Sequence, residues 1–174
     1  MSRTIVFVLM LFLFACKEDV KESEPTTNEV IPTQTVEDFA LKETHGDKKI
    51  WLLRAEKALS YEEKHTIWIY DVNLDFFDEN GLISSTLTSD SGIVFSQTNN
   101  MRALGNVVVV SKDGDRLETE TLDWLNTERK IYTKDLVKVI QEKSVMTGIG
   151  LESDPNLEHI KIKKDLRIKY EGRD

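Results

Sequence analysis

The chain has 174 residues, of which 40% are apolar and 31% are charged, enough to build one folded domain around an ordinary hydrophobic core. Its 31 acidic residues outnumber its 23 basic residues and give a net charge of -8, so nucleic acid is not an expected partner. The chain contains one cysteine, which excludes a disulfide bond within it.

Residues 1–15 have the pattern of a secretion signal. Arg3 provides a basic start, an uninterrupted apolar run follows at 5–14, and Ala15 precedes Cys16. This order is typical of a bacterial lipoprotein signal peptide, with Cys16 as the lipidated first residue of the mature protein. Polar residues at 17–19 end the run well short of the roughly twenty apolar residues that a membrane-spanning helix needs. The sequence therefore predicts a lipid anchor at Cys16 and leaves open which membrane keeps it.

Residues 16–35 are predicted to form a disordered tether. They are rich in Lys, Glu, Ser, Thr and Asn, and Pro25 and Pro32 oppose regular structure. The folded domain is expected to begin near Val36 and to occupy residues 36–174.

Strand signals dominate this domain. Val, Ile, Thr and aromatic residues alternate with polar residues, as in strands that bury one face. The predicted strands are 51–60, 67–77, 82–89, 101–110, 116–125, 131–141 and 159–169. The apolar alternation changes parity near Asp71 and Val72, which predicts a β-bulge there.

A strand unit recurs along the domain. The apolar pattern of 101–109 returns thirty positions later at 131–139, and fainter copies of 117–119 and 131–133 precede them by sixty-four positions at 53–55 and 67–69. The turn sequences 78–81 and 112–115 each contain a Gly that supplies positive φ. A two-strand unit of about thirty residues must stack on its neighbours to bury a continuous core.

The predicted fold class is therefore all-β, as curled antiparallel sheets or an open β-jelly roll. Its inward-facing residues form either a filled core or an apolar trough, and the sequence alone does not separate these alternatives. They are Leu53, Ala55, Ile67, Ile69, Leu74, Phe76, Met101, Ala103, Val107, Val109, Ile131, Val137 and Val139.

Metal and catalytic sites are not expected. Asp71, Asn73 and Asp75 superficially resemble a calcium loop, but Phe76 stands where Gly is needed and Leu82 where the bidentate Glu should be. The three histidines show no metal-ligand spacing. Nucleophile-elbow and phosphate-binding glycine motifs are missing from the sequence, so the chain is predicted not to be an enzyme and to need no cofactor.

Several short motifs, in a fixed order, carry a family resemblance. ALGNVVV at 103–109, Asp113-Gly114, LETETL at 117–122 and MTGIGLE at 146–152 follow an anchored start and a tether. In this order and spacing the chain resembles the lipopolysaccharide-export protein family LptC over residues 39–167.

The resemblance implies a periplasmic β-jelly roll tethered to the inner membrane. Such a protein receives lipopolysaccharide from the permease and ATPase subunits of an ABC transporter complex. It passes the lipid to a periplasmic bridge protein of the same fold by edge-to-edge strand pairing. The thirteen inward residues would then contact lipid, and the resemblance places partner contacts at Gly46 and at a late glycine-bearing turn with Gly148 and Gly150. The alternative for these glycines is plain turn geometry.

A second interpretation stays open. The chain could be a structural or adhesive surface lipoprotein whose β repeats only stack on one another and hold no lipid cargo.

Overall fold

The computed structural model describes residues 31–170, which form nine strands and one short 3-10 helix at Glu62–Lys64. Each strand pairs antiparallel with its neighbours in the chain, so the nine strands make one sheet in sequence order. The strands are β1 Gln34–His45, β2 Lys48–Tyr61, β3 Thr66–Phe77, β4 Ile83–Phe95, β5 Asn100–Ser111, β6 Arg116–Leu125, β7 Lys130–Gln141, β8 Ser144–Ser153 and β9 Lys161–Tyr170.

The predicted all-β open jelly roll is confirmed, and so are the seven predicted strands. β4 continues to Phe95, beyond the predicted end at residue 89. Two strands, β1 and β8, were not predicted. The signal peptide, Cys16 and most of the tether lie outside the described residues, whereas Gln34 and Thr35, assigned to the tether, belong to β1.

The change of parity at Asp71 is real, but it is not a bulge. After Asp71, Val72 pairs with Ala55 on β2 and with Ser89 on β4, and before it Tyr70 pairs with both strands in the same register. No residue is inserted. Instead Asp71 takes a left-handed backbone conformation with φ 53°, which turns the following side chains to the other face.

Similar interruptions cross the whole sheet. We call this row the fold line, because register shifts, pairing gaps or left-handed residues occur there on successive strands. Five members have positive φ, and they are Asp, Asn or Gly, the residues that tolerate this conformation best. Its members are Asp38, Glu56, Asp71, Asp90, Asn106, Glu120, Asp135, Gly150 and Asp165.

The fold line divides the sheet into two halves that face each other. The lower half ends at the β1–β2, β3–β4, β5–β6 and β7–β8 turns, and the upper half ends at the alternate turns. Leu53 and Leu74 of the lower half line the same small cavity as Met101 and Leu122 of the upper half. The apolar core therefore lies between two layers of one continuous sheet.

Candidate functional site

All thirteen residues predicted to face inward belong to this interior. Twelve are buried, and Ile67 is half-buried and packed against the core. The cavity between the two halves measures only ≈ 20 Å³, room for about one water molecule, whereas ligand pockets usually measure about 300–1,000 Å³. The interior is thus filled in this conformation, and lipid contact by these residues stays a prediction.

Among residues 31–170, no element covers the interior at the β9 end. Ile168 pairs with Met146, which packs against the core, so the two side chains share the inner face of the sheet. Leu166, Ile168 and Tyr170 are nevertheless 51%, 46% and 70% exposed. Apolar surface of the interior therefore reaches solvent along the last strand.

A wider cleft of ≈ 590 Å³ lies on the outer face, across β5 to β8. Arg116, Glu118 and Lys138 form part of its wall and are joined by ion pairs, and exposed Leu136 stands beside them. Charged walls of this kind do not suit acyl chains. We therefore do not assign lipid to this cleft, although Val107 and Val137 approach it from the interior.

The three glycines predicted to contact a partner have different surroundings. Gly46 lies in the β1–β2 turn with φ 65°, and a Cβ atom there would meet nothing within 4 Å. Gly148 and Gly150 lie inside β8 and not in a turn, because this segment is a full strand. A Cβ on Gly148 would clash with the Ile162 side chain and lie 2.8 Å from the Lys164 carbonyl oxygen. Gly148 therefore allows β9 to lie close to β8.

A polar and aromatic cluster at the open rim was not predicted from the sequence. Trp51 and Trp124 are buried, and their indole nitrogens both donate to the side-chain oxygen of Asn126. The Asn126 amide also donates to Glu43. These residues are up to 83 positions apart, so only the folding of the sheet reveals the cluster. Trp68, the third tryptophan, is half-buried on β3.

Two carboxylates illustrate the electrostatics of the outer face. The ammonium groups of Lys130 and Lys163 both bind Glu152 and lower its pKa to about 2. Glu56 has the opposite surroundings, because a hydrogen bond and charge repulsion from Asp71 raise its pKa. Asp38 adds to that repulsion from the neighbouring strand.

Within residues 31–170, no group of three or more His, Cys, Asp or Glu side chains is placed to hold a metal ion. His45, His65 and His159 lie on separate segments, and the His159 ring is hydrogen-bonded to Asp154. None of the helices in the same range has the length and hydropathy needed to cross a bilayer.

One consecutive antiparallel sheet, folded on itself around an apolar interior and open along its last strand, defines an open β-jelly roll. The family model described as "Lipopolysaccharide-assembly, LptC-related" matches residues 4–171. The chain therefore belongs to the LptC family. Family membership makes it a periplasmic lipopolysaccharide-transport protein that works with other Lpt proteins, and it confirms that the chain is not an enzyme.

A solved structure has the same fold. It is LptH from Pseudomonas aeruginosa, described as the LptA-homologous periplasmic component of the conserved lipopolysaccharide transport device. The TM-score is 0.56 at 14% identity, and the alignment covers 70% of this chain and 95% of LptH. No curated protein matches the chain in sequence.

Proposed function

We propose that the chain is the membrane-anchored, periplasmic entry component of the lipopolysaccharide export bridge. It accepts lipopolysaccharide from the permease and ATPase subunits of the inner-membrane ABC transporter complex. The acyl chains enter between the two halves of the sheet, and the lipid then passes to the next jelly-roll protein. The observation that carries this proposal is the apolar interior of one continuous sheet, which no element within the described range 31–170 covers at β9.

The physical requirement for such a carrier is simple. Exposure of acyl chains to water is unfavourable because of the hydrophobic effect. A lipid crossing the periplasm therefore needs an apolar surface along its path. The thirteen inward residues supply that surface when the two halves separate. The energy for transport would come from the transporter ATPase, since this chain is not an enzyme.

The two edge strands have different charges, which suggests different neighbours. β9 carries five basic residues and only one acidic residue, whereas β1 carries three acidic residues and one lysine. We assign β9 to the bridge protein, whose edge strand would pair with it and cover Leu166, Ile168 and Tyr170. The anchored segment precedes β1, so we assign the β1 end to the transporter and to the inner membrane.

The lipid anchor belongs to the same proposal. Acylation of Cys16 would hold the domain at the inner membrane, and residues 17–33 would give it reach toward the next protein. Mass spectrometry of the protein purified from membranes tests the anchor. A peptide that begins at diacylglyceryl-Cys16 is expected, and an unmodified Cys16 behind an intact apolar run contradicts it.

The competing proposal is a structural or adhesive surface lipoprotein, favoured by the ≈ 20 Å³ left in the interior. Conditional depletion in the native cell distinguishes the two. For the transport role, newly made lipopolysaccharide should accumulate in the inner membrane as the protein disappears, and re-expression should restore its export. Normal delivery of lipopolysaccharide to the cell surface after depletion would instead support the structural role.

A further inference from the structure

The rim cluster joins strands that the backbone of the sheet does not join. The side-chain oxygen of Asn126, in the β6–β7 turn, accepts hydrogen bonds from Trp124 Nε1 at 3.2 Å and from Trp51 Nε1 at 3.5 Å. Its side-chain nitrogen donates to Glu43 Oε1 at 3.1 Å. Glu43 and Trp51 are on β1 and β2, which are not sheet neighbours of β6 or β7. One amide thus ties the lower half of the first strands to the upper half of the later strands.

Aromatic packing lies directly beneath this amide. The rings of Phe76 and Trp124 are 4.8 Å apart, centroid to centroid, at an angle of 56°, a tilted arrangement that is favourable for aromatic pairs. The Asn126 backbone is fixed as well, because its N–H donates to Asn100 Oδ1 at 2.9 Å. Trp124 and Asn126 are therefore both held in place, one by ring packing and the other by a backbone hydrogen bond.

Lipid cannot enter the interior as it stands, since the cavity there is ≈ 20 Å³. The two halves of the sheet must separate, and the rim cluster is a direct contact between them. Release of its polar part costs little, because water can replace each hydrogen bond once the two halves have separated. The second carboxylate oxygen of Glu43 is buried and has no hydrogen-bond partner among residues 31–170, and it would gain one in water.

We propose that Glu43, Trp51, Trp124 and Asn126 form a rim latch that keeps the interior closed without cargo and opens when lipid enters. This inference rests on the proposed transport function and concerns how that site is regulated. Acyl chains entering the rim take over the apolar contacts of the two indole rings. Lipid therefore replaces the apolar contacts of the latch, which water cannot replace.

The test is a distance measurement on the full chain in phospholipid nanodiscs. Spin labels replace Asp47 and Glu128, exposed residues in the β1–β2 and β6–β7 turns on either side of the latch. The labels are attached to non-canonical ketone residues so that Cys16 is left untouched. Purified lipopolysaccharide is the probe. A short distance is expected without it and a longer distance with it, and an unchanged distance in chains shown to hold lipid overturns the latch.

Asn126→Ala should populate the long distance without lipid. It should also raise the rate of lipopolysaccharide cross-linking to a photoreactive residue at Val107 about tenfold, because it removes the two side-chain hydrogen bonds, from Trp51 and to Glu43, that exist only in the closed state. Leu151→Ala is the matched control, since Leu151 is fully buried beside the fold line, away from the latch, and is not one of the thirteen inward residues proposed to contact lipid. It should lower the melting temperature and leave both the distance and the rate unchanged.

Exchanging the charge across the contact distinguishes a specific latch from a general loss of stability. Asn126→Asp places a carboxylate against Glu43 and should open the rim further than Asn126→Ala. Combining it with Glu43→Gln restores one donor and one acceptor across the contact and should return the short distance. Failure of the double variant to close the rim, or equal loading rates in all variants, contradicts the proposal.

A failure of the latch and a failure of the transport function give different results. If no variant and no condition gives lipid cross-links from Val107, the transport function itself is wrong. If lipid is bound but the latch variants load at the rate of the unsubstituted chain, only the latch is wrong.

Discussion

Val108 and Val109 are adjacent in β5 but belong to opposite faces of the sheet. Val109 is fully buried and pairs with Leu87 and Leu117. Val108 is half-buried and pairs with Glu118 on the charged outer face. A charge in place of Val109 would lie in the apolar interior. A charge in place of Val108 would lie near the Glu118 carboxylate.

Val109→Lys is expected to prevent folding or to cost more than about 3 kcal/mol, because the ammonium group would be buried without a partner. Val108→Lys should change the free energy of unfolding by less than about 1 kcal/mol. Urea denaturation followed by circular dichroism measures both. Equal stability of the two variants would show that the inner and outer faces of β5 have been exchanged.

Glu152 contributes to stability only where it is ionised. Its folded pKa of about 2 lies below the unfolded value of 4.5, so the contribution is complete above pH 4.5 and is lost as the pH falls toward 2. Glu152→Gln should therefore lower the melting temperature at pH 7 and have no effect near pH 2.

The control for this comparison is Glu158→Gln, at an exposed residue of the β8–β9 connection. Its melting temperature should follow that of the unsubstituted chain at both pH values. A Glu152→Gln variant that melts like the unsubstituted chain at pH 7 would show that Lys130 and Lys163 do not stabilise the fold through this carboxylate.

At the scale of elements, Gly148 decides how closely the last strand can pack. An added Cβ would lie 2.8 Å from the Lys164 carbonyl oxygen, so Gly148→Ala must push β9 away or break its pairing with β8. We expect a loss of about 1–3 kcal/mol and faster hydrogen exchange confined to β8 and β9.

Gly46→Ala is the matched substitution for this test. It places Ala at φ 65° and should cost about 1–2 kcal/mol without any change in exchange at β9. If both variants fold normally but lose contact with another Lpt protein, the predicted partner role outweighs the packing role of these glycines. Unchanged exchange in β9 of Gly148→Ala contradicts the packing role directly.

The fold line concentrates negative charge, with a carboxylate on seven of the nine strands. Asp71 raises the pKa of Glu56, so the Glu56 carboxyl holds its proton more readily in the folded chain than in the unfolded chain. Stability is therefore lost as the pH rises from 4.5 through the raised pKa. The like charges oppose folding of the sheet at neutral pH.

Glu56→Gln should consequently raise the melting temperature at pH 7, and the gain should vanish below pH 4.5. Glu79→Gln, in the β3–β4 turn, is the control and should change little. Differential scanning calorimetry across pH 4 to 7 measures both. A lower melting temperature of Glu56→Gln at pH 7 would mean that this carboxylate stabilises the sheet.

The strands that could be predicted from the sequence are those in which apolar and polar residues alternate every two positions. β2, β3, β5, β6 and β7 each bury one face and show this period directly. β1 is an edge strand with no fully buried residue, and β8 contains two glycines, so neither showed a clear alternation. The inward residues were predictable for the same local reason.

The rim latch and the fold line could not be predicted in this way. The latch depends on a contact between residues 83 positions apart. The fold line depends on φ values that Asp and Asn permit but do not require, as Asp71 shows. Both features arise from the tertiary fold and leave no pattern in neighbouring residues.

At the scale of the whole molecule, a filled interior and a transport function are compatible only if the two halves of the sheet separate. The sheet is suited to this motion because its halves are continuous at the fold line and meet at the rim through side chains. The exposed inner face of β9 then becomes the exit through which lipid continues to a partner. Transport by this chain therefore requires that lipopolysaccharide enters this interior.

Photo-cross-linking in living cells tests this claim most directly. A photoreactive residue is placed in turn at Ile67, Val107 and Val137 inside the sheet, and at the adjacent outer positions Trp68, Val108 and Lys138 as controls. Lipopolysaccharide adducts are expected at the inner positions, with few or none at the outer ones. Cells that give no adduct at any of the three inner positions, or equal adducts on both faces, would contradict it.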